Sequence, residues 1–117
     1  MKFSLGEINI FVSDLERSLA FYCDVLGFEN LGEDRGAVHL KGAGHAFLLL
    51  PFASADASPP KYGARPSVSF DLEVSDIEKA YAYFRDAKVA FERNLEPGGD
   101  HFFVRDPDGT VIEIVQP

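Results

Sequence analysis

Glu7-Ile-Asn-Ile-Phe-Val-Ser-Asp-Leu-Glu-Arg-Ser-Leu-Ala-Phe-Tyr22 is echoed without a gap by Ser69-Phe-Asp-Leu-Glu-Val-Ser-Asp-Ile-Glu-Lys-Ala-Tyr-Ala-Tyr-Phe84. Each copy runs from an alternating apolar stretch through Val-Ser-Asp into a helix-forming segment. An internal repeat of this kind means one supersecondary plan used twice, so positions can be compared between the copies.

Around the first copy, Ile8, Ile10 and Val12 alternate with Glu7, Asn9 and Phe11, the period of a strand with one buried face. Ser13 and Glu16 have the spacing of a capping box, which predicts a helix from Asp14. Leu15, Leu19, Tyr22 and Leu26 then recur at helical spacing, and Gly27 suits a left-handed stop. Three further strands are predicted over 28–31, 37–41 and 46–51, separated by Gly-rich turns. The second copy repeats these events. Val68, Phe70, Leu72 and Val74 alternate, Ser75 and Glu78 form a second capping box, and strands follow over 91–94, 100–105 and 110–115. Asp106-Pro-Asp-Gly109 suits a tight turn between the last two.

The expected architecture is α+β: two tandem βαβββ modules forming a cupped, mostly antiparallel eight-stranded sheet with the helices outside. Residues 1–117 read as a single domain, with module one at 1–51, a linker at 52–66 and module two at 67–117. Each module is below about 60 residues and would be marginal alone. The linker is rich in Ala, Ser and Pro and is long for a compact domain, so it reads as a tether or as a loop that contacts ligand.

Apolar residues make up 46% of the chain, and 11 Phe with 4 Tyr supply bulk for a core in the absence of Trp. The net charge of −8 disfavours a nucleic-acid partner, and no Lys/Arg run interrupts it. The same field steers cations inward and leaves neutral ligands, or anions held by a metal, open. The lone Cys23 has no partner for an internal disulfide and reads as a small buried hydrophobe. The apolar stretch 46–53 is broken by Pro51 and is far short of the roughly 20 residues a spanning helix needs. A cytoplasmic location, with no membrane partner, is therefore expected.

Three segments resemble the vicinal oxygen chelate superfamily, the glyoxalase, bleomycin-resistance and extradiol dioxygenase group, in the style of its small bleomycin-resistance-like members. Val12-Ser-Asp-Leu-Glu-Arg-Ser-Leu-Ala-Phe-Tyr-Cys-Asp-Val-Leu-Gly-Phe28 is similar to the family's opening strand, helix and Leu-Gly-Phe. Phe103-Val-Arg-Asp-Pro-Asp-Gly-Thr-Val-Ile-Glu113 is similar to its closing hairpin, and 75–84 is a weaker middle repeat. The resemblance implies a cavity between the modules and, in many members, one divalent metal held by the first and last strands of each.

At the positions this implies, the chain has Glu7 and Ser69 on the first strands and Glu113 on the last strand of module two. The last strand of module one reads Phe47-Leu-Leu-Leu50, with no acid in any register. Two carboxylates do not make the nitrogen-rich closed site that zinc prefers. The leading expectation is therefore a protein, in the form of a homodimer, that binds and sequesters a small drug or metabolite without a conventional metal. The rival is a metal-dependent lyase, isomerase or dioxygenase in which Glu7, Glu113 and a His such as His45 hold Mn, Ni, Zn or Mg.

Strand parity extends the candidate ligand face to Asn9, Phe11, Phe47, Ser69, Asp71, His101 and Phe103. The plainer reading of the same face is the solvated side of an amphipathic sheet, with the Phe residues serving the core. Glu113 is the candidate catalytic residue, because a carboxylate between Val111-Ile112 and Ile114-Val115 is costly to bury without a task or a partner. It would serve as a general base or as a metal ligand.

Overall fold

The computed structural model describes every residue of the chain except Ala57. Its chain divides into two compact units, residues 1–55 and 56–117, each built on one copy of the repeat. In the first unit, strand β1 (Ile8–Phe11) leads into helix α1 (Leu15–Leu19), which continues as a π-helical segment (Ala20–Val25). Strands β2 (Glu29–Asp34), β3 (Ala37–Gly42) and β4 (His45–Leu50) follow. In the second unit the order is β5 (Phe70–Glu73), α2 (Ile77–Asp86), β6 (Ala90–Arg93), β7 (His101–Arg105) and β8 (Val111–Val115).

The eight strands fall into two four-stranded sheets of the same design, ordered β1-β4-β3-β2 and β5-β8-β7-β6. The first strand of each sheet pairs in parallel with the last, and the other pairings are antiparallel. The repeated sequence thus produces repeated α+β topology, with β1 and β5 each ending one residue before the Val12 and Val74 that close their period-two patterns.

The core of the first unit lies on the sheet face that carries Ile10, Val38, Leu40 and Leu49, all buried. Phe28 stacks between Tyr22 and Phe47, with ring centroids 6.0 and 4.9 Å away. In the second unit Phe102, Val104, Ile112 and Ile114 are buried on the corresponding face. Tyr81 and Phe84 of α2 meet Phe102 edge-on at 5.2 and 5.9 Å. Each helix therefore covers one face of its sheet and leaves the other to carry polar residues.

Two local expectations are corrected. The helices are capped by Asp14 and Asp76, whose carboxylates accept from the backbone N–H groups of Arg17 and Lys79 at 3.0 and 3.1 Å, so the caps lie one residue after Ser13 and Ser75. A carboxylate suits this place because the first turn presents unpaired N–H groups and the positive end of the helix dipole. The stripe of Leu15, Leu19, Tyr22 and Leu26 is also replaced. Ser18, Phe21 and Tyr22 are the buried positions, because the π turn, closed by Leu26 N–H on the Phe21 carbonyl at 3.0 Å, takes more residues per turn and shifts the phase.

Both sheets also carry a matching irregularity. Register slips between Asn30 and Gly32 in β2 and between Phe91 and Arg93 in β6, leaving Leu31 and Glu92 as extra residues on their strands. Such bulges re-aim side chains. The hairpin after β7 is held by buried Asp106, whose side chain accepts from the N–H groups of Asp108 and Thr110 at 2.9 Å. Among the described residues, no helix is long and apolar enough to cross a membrane.

Candidate functional site

The parallel pairings fix which positions in the two modules are equivalent. Asn9 lies beside Leu48 and Asp71 lies beside Glu113, so Leu48 occupies in the first sheet the place that Glu113 holds in the second. The antiparallel neighbours extend the match: Leu48 pairs with His39, and Glu113 pairs with Phe103. One plan therefore carries two different chemistries, Leu48 with His39 in the first unit and Glu113 with Phe103 in the second.

On the open face of the first sheet, Glu7 precedes β1 and its Oε2 accepts a hydrogen bond of 2.6 Å from Nδ1–H of His39. A carboxylate offers only acceptors, so Nδ1 carries the proton in this contact. His39 Nε2 lies 3.9 Å from Asp34 Oδ2, which makes His39 the centre of a carboxylate–imidazole–carboxylate row. Both side chains of the Glu7–His39 pair are about one-third exposed, at 35% and 37%. Asn9 and Phe11 are exposed on the same face, with Phe11 6.5 Å from Phe52. Phe47 is not there. It is 2% exposed on the opposite, helix-covered face with Leu49, because β4 pairs it with Ile8 rather than with Asn9. His45, the first residue of β4, is exposed and faces Gly42 across the hairpin.

In the second sheet Asp71, Glu113 and Phe103 lie side by side across β5, β8 and β7 on one face. Glu113 is half-buried between Ile112 and Ile114, and it has no hydrogen-bond or ion-pair partner among the described residues. Phe103 is only 9% exposed, because the Tyr62 ring lies on it at 4.9 Å and His101 touches its edge at 5.8 Å. The Tyr62 hydroxyl shares a 3.1 Å hydrogen bond with the hydroxyl of Ser69. Nδ1–H of His101 donates to Asp100 at 2.8 Å, and this bond holds the Asp100 carboxyl below its usual range.

The segment before β5 is strapped onto this face. Arg105 donates from Nε and Nη2 to Glu92 Oε2 at 2.9 and 2.6 Å, from Nη1 to the Gly109 carbonyl at 2.6 Å and from Nη2 to the Pro60 carbonyl at 3.1 Å. Glu92, turned this way by its bulge, also accepts from Tyr62 N–H at 3.3 Å. The hydrogen bonds from Arg105, more than any other cause, hold the Glu92 carboxyl below its ordinary range. At Gly109, whose φ is +87°, an added Cβ would come within 2.6 Å of Pro59, so strap and hairpin meet where only glycine fits.

A cleft of about 380 Å³ opens between the strap and the first residues of β8, lined by Lys61, Tyr62, Arg65, Ser67, Ser69 and Arg105 among others. Its size falls within the range of small-molecule pockets. The residues 60–66 of the stretch read as a linker thus form the wall of a cleft, which periodicity could not show. Tyr62, Arg65, Glu92, Arg105 and His39 were missed by parity. The available signals were an aromatic residue inside an Ala/Ser/Pro-rich stretch and an imidazole between the apolar Val38 and Leu40 of β3. Cys23 belongs to no site: burial, then the charge of Asp24, pushes its thiol up and away from a reactive thiolate.

Leu48 supplies no donor at the position matching Glu113, Ser69 supplies a neutral hydroxyl already shared with Tyr62, and Glu7 is engaged by His39. Among the described residues, no group of three His, Cys, Asp or Glu side chains is placed so that it could hold a metal ion.

The sequence model of the Glyoxalase/Bleomycin resistance protein/Dioxygenase superfamily matches residues 4–114. Catechol-2,3-dioxygenase of Bacillus subtilis is 28% identical over 94% of this chain, which spans 40% of that protein's length. Glutathione transferase FosA of Serratia marcescens is 25% identical over 95% of this chain and 79% of its own. The crystal structure of lactoylglutathione lyase from Agrobacterium tumefaciens has the same fold, with a TM-score of 0.69 and 25% identity over 97% of this chain and 92% of that one. With two βαβββ units of matching register and a family match over nearly its full length, the chain belongs to the glyoxalase/bleomycin resistance protein/dioxygenase superfamily.

Proposed function

We propose that this protein binds and sequesters a small organic molecule, as a homodimer, without a conventional metal centre. The observation that carries this reading is the register of β4 against β1, which puts Leu48 where the second module has Glu113. With Ser69 as the counterpart of Glu7, two of four comparable positions lack an acidic or imidazole donor, and an apolar side chain at a ligand position cannot be recruited by rotation. The cleft lined by Tyr62 supports binding, because it combines an aromatic ring with hydroxyl and cationic groups.

Chelator-treated protein, confirmed as a dimer by light scattering at twice the 12.9 kDa chain mass, should unfold at the same temperature with or without excess Mn²⁺, Ni²⁺, Zn²⁺ or Mg²⁺. Occupation at 100 times Kd would add about 2.7 kcal/mol. In the same assay, saturable stabilisation by a member of a small-molecule panel is expected. A metal-dependent rise that Glu113→Gln abolishes would instead establish a metalloenzyme with Glu113 as ligand.

A further inference from the structure

The cleft of the second unit reverses the charge of the molecule around it. The chain carries a net charge of −8, yet the cleft lining includes three of its 11 Lys and Arg residues and no Asp or Glu. Lys61 and Arg65 lie four residues apart on the strap, and Arg105 joins them only because the strap folds back over β7 and β8.

The three cations are not equivalent. Arg105 spends its donors on Glu92, Gly109 and Pro60, and its charge is matched by Glu92 at 2.6 Å. It is a structural rivet. Lys61 is exposed and acts on Glu92 through space only. Arg65 is exposed and has no ion-pair or hydrogen-bond partner among the described residues. A guanidinium with an unspent fork, beside an ammonium and the hydroxyls of Ser67 and Ser69, is a donor set for a planar or tetrahedral oxyanion. The Tyr62 ring, 43% exposed, gives an attached apolar group a surface to lie on. Beyond a Debye length of about 8 Å at physiological salt, the repulsion from the acidic surface is largely screened, so the groups lining the cleft decide the preference of a bound ligand.

We infer that this cleft recognises the anionic group of a small organic acid, a carboxylate or a phosphate, with Arg65 as its anchor and Lys61 as its second cation. This rests on the small-molecule-binding reading and names the class of ligand for it.

The test is an amide-resolved NMR titration of the intact protein with benzoate, phenyl phosphate, benzamide and benzylamine, repeated on Arg65→Gln, Arg65→Lys and Arg85→Gln. Benzoate or phenyl phosphate should shift the amides of Tyr62, Ser67 and Ser69 saturably and bind about tenfold tighter than benzamide, the worth of a charge-assisted hydrogen bond. Arg65→Gln should remove that advantage without altering benzamide binding. Arg65→Lys should keep part of it, and Arg85→Gln, on α2, should change nothing. Equal binding of benzamide or benzylamine at these amides would overturn the anion inference and leave the sequestering reading standing. Binding of the anions only elsewhere on the protein would overturn it as well. If none of the four binds saturably and the wider panel also fails to stabilise the fold, both the inference and the reading fall.

Discussion

Leu48 and Glu113 hold the same place in two copies of one plan, and the difference between them decides what the face beneath each can do. Parity along β8 identified Glu113 as facing away from the core, whereas nothing within Phe47-Leu-Leu-Leu50 marks which leucine faces which way. Only the pairing with Asn9 selects Leu48, and the same pairing sends Phe47 into the core. Close packing there is tight enough to test with one methyl group. A Cβ at Gly42 would lie 2.2 Å from the Phe28 ring, which is itself clamped between Tyr22 and Phe47. Gly42→Ala should therefore cost about 1–3 kcal/mol as overpacking, read as a lower urea midpoint at unchanged slope.

At the scale of elements, the repeat was legible to within a few residues, because alternation and helical spacing are local properties. The departures share a cause. Which of two adjacent polar residues caps a helix depends on the backbone angles at that point, and Asp76 has the extended conformation, φ −142° and ψ 101°, that lets its carboxylate reach forward. Asp76→Ala should cost about 1 kcal/mol, while Ser75→Ala should leave stability nearly unchanged. Equal losses in urea unfolding would return the cap to Ser75. The π turn and the two bulges were not legible either. Each adds one residue to a regular element, and the compensation for that irregularity lies in contacts made with other elements, as Glu92 makes with Arg105 and Tyr62.

One part of the molecule's pH response follows from that last cluster. Because the Arg105 hydrogen bonds hold the folded Glu92 carboxyl below its ordinary value, the unfolded chain binds the proton more readily. The resulting stabilisation is complete above about pH 4.5, the ordinary carboxyl range, and is lost as pH falls through the lower folded value. Glu92→Gln should cost about 1–3 kcal/mol at pH 7, since it leaves the largely covered Arg105 without its counter-charge. The variant should also lose less further stability than the parent protein between pH 5 and pH 3, measured by urea unfolding at each pH. A parallel pH dependence in the two proteins would show that Glu92 is not coupled to folding.

By itself the sequence determined the repeat, the α+β order of strands and helices, the acidic net charge and the parity that sets Glu113 apart from Ile112 and Ile114, because each is carried by neighbours along the chain. Tertiary structure alone decided that His39 meets Glu7, that Leu48 is the counterpart of Glu113, and that a strap reading as a linker places Lys61 and Arg65 in a cleft braced by Arg105. Strand register and strap docking are set by the free energy of contacts between residues far apart in sequence. Such contacts leave no period in the chain to read.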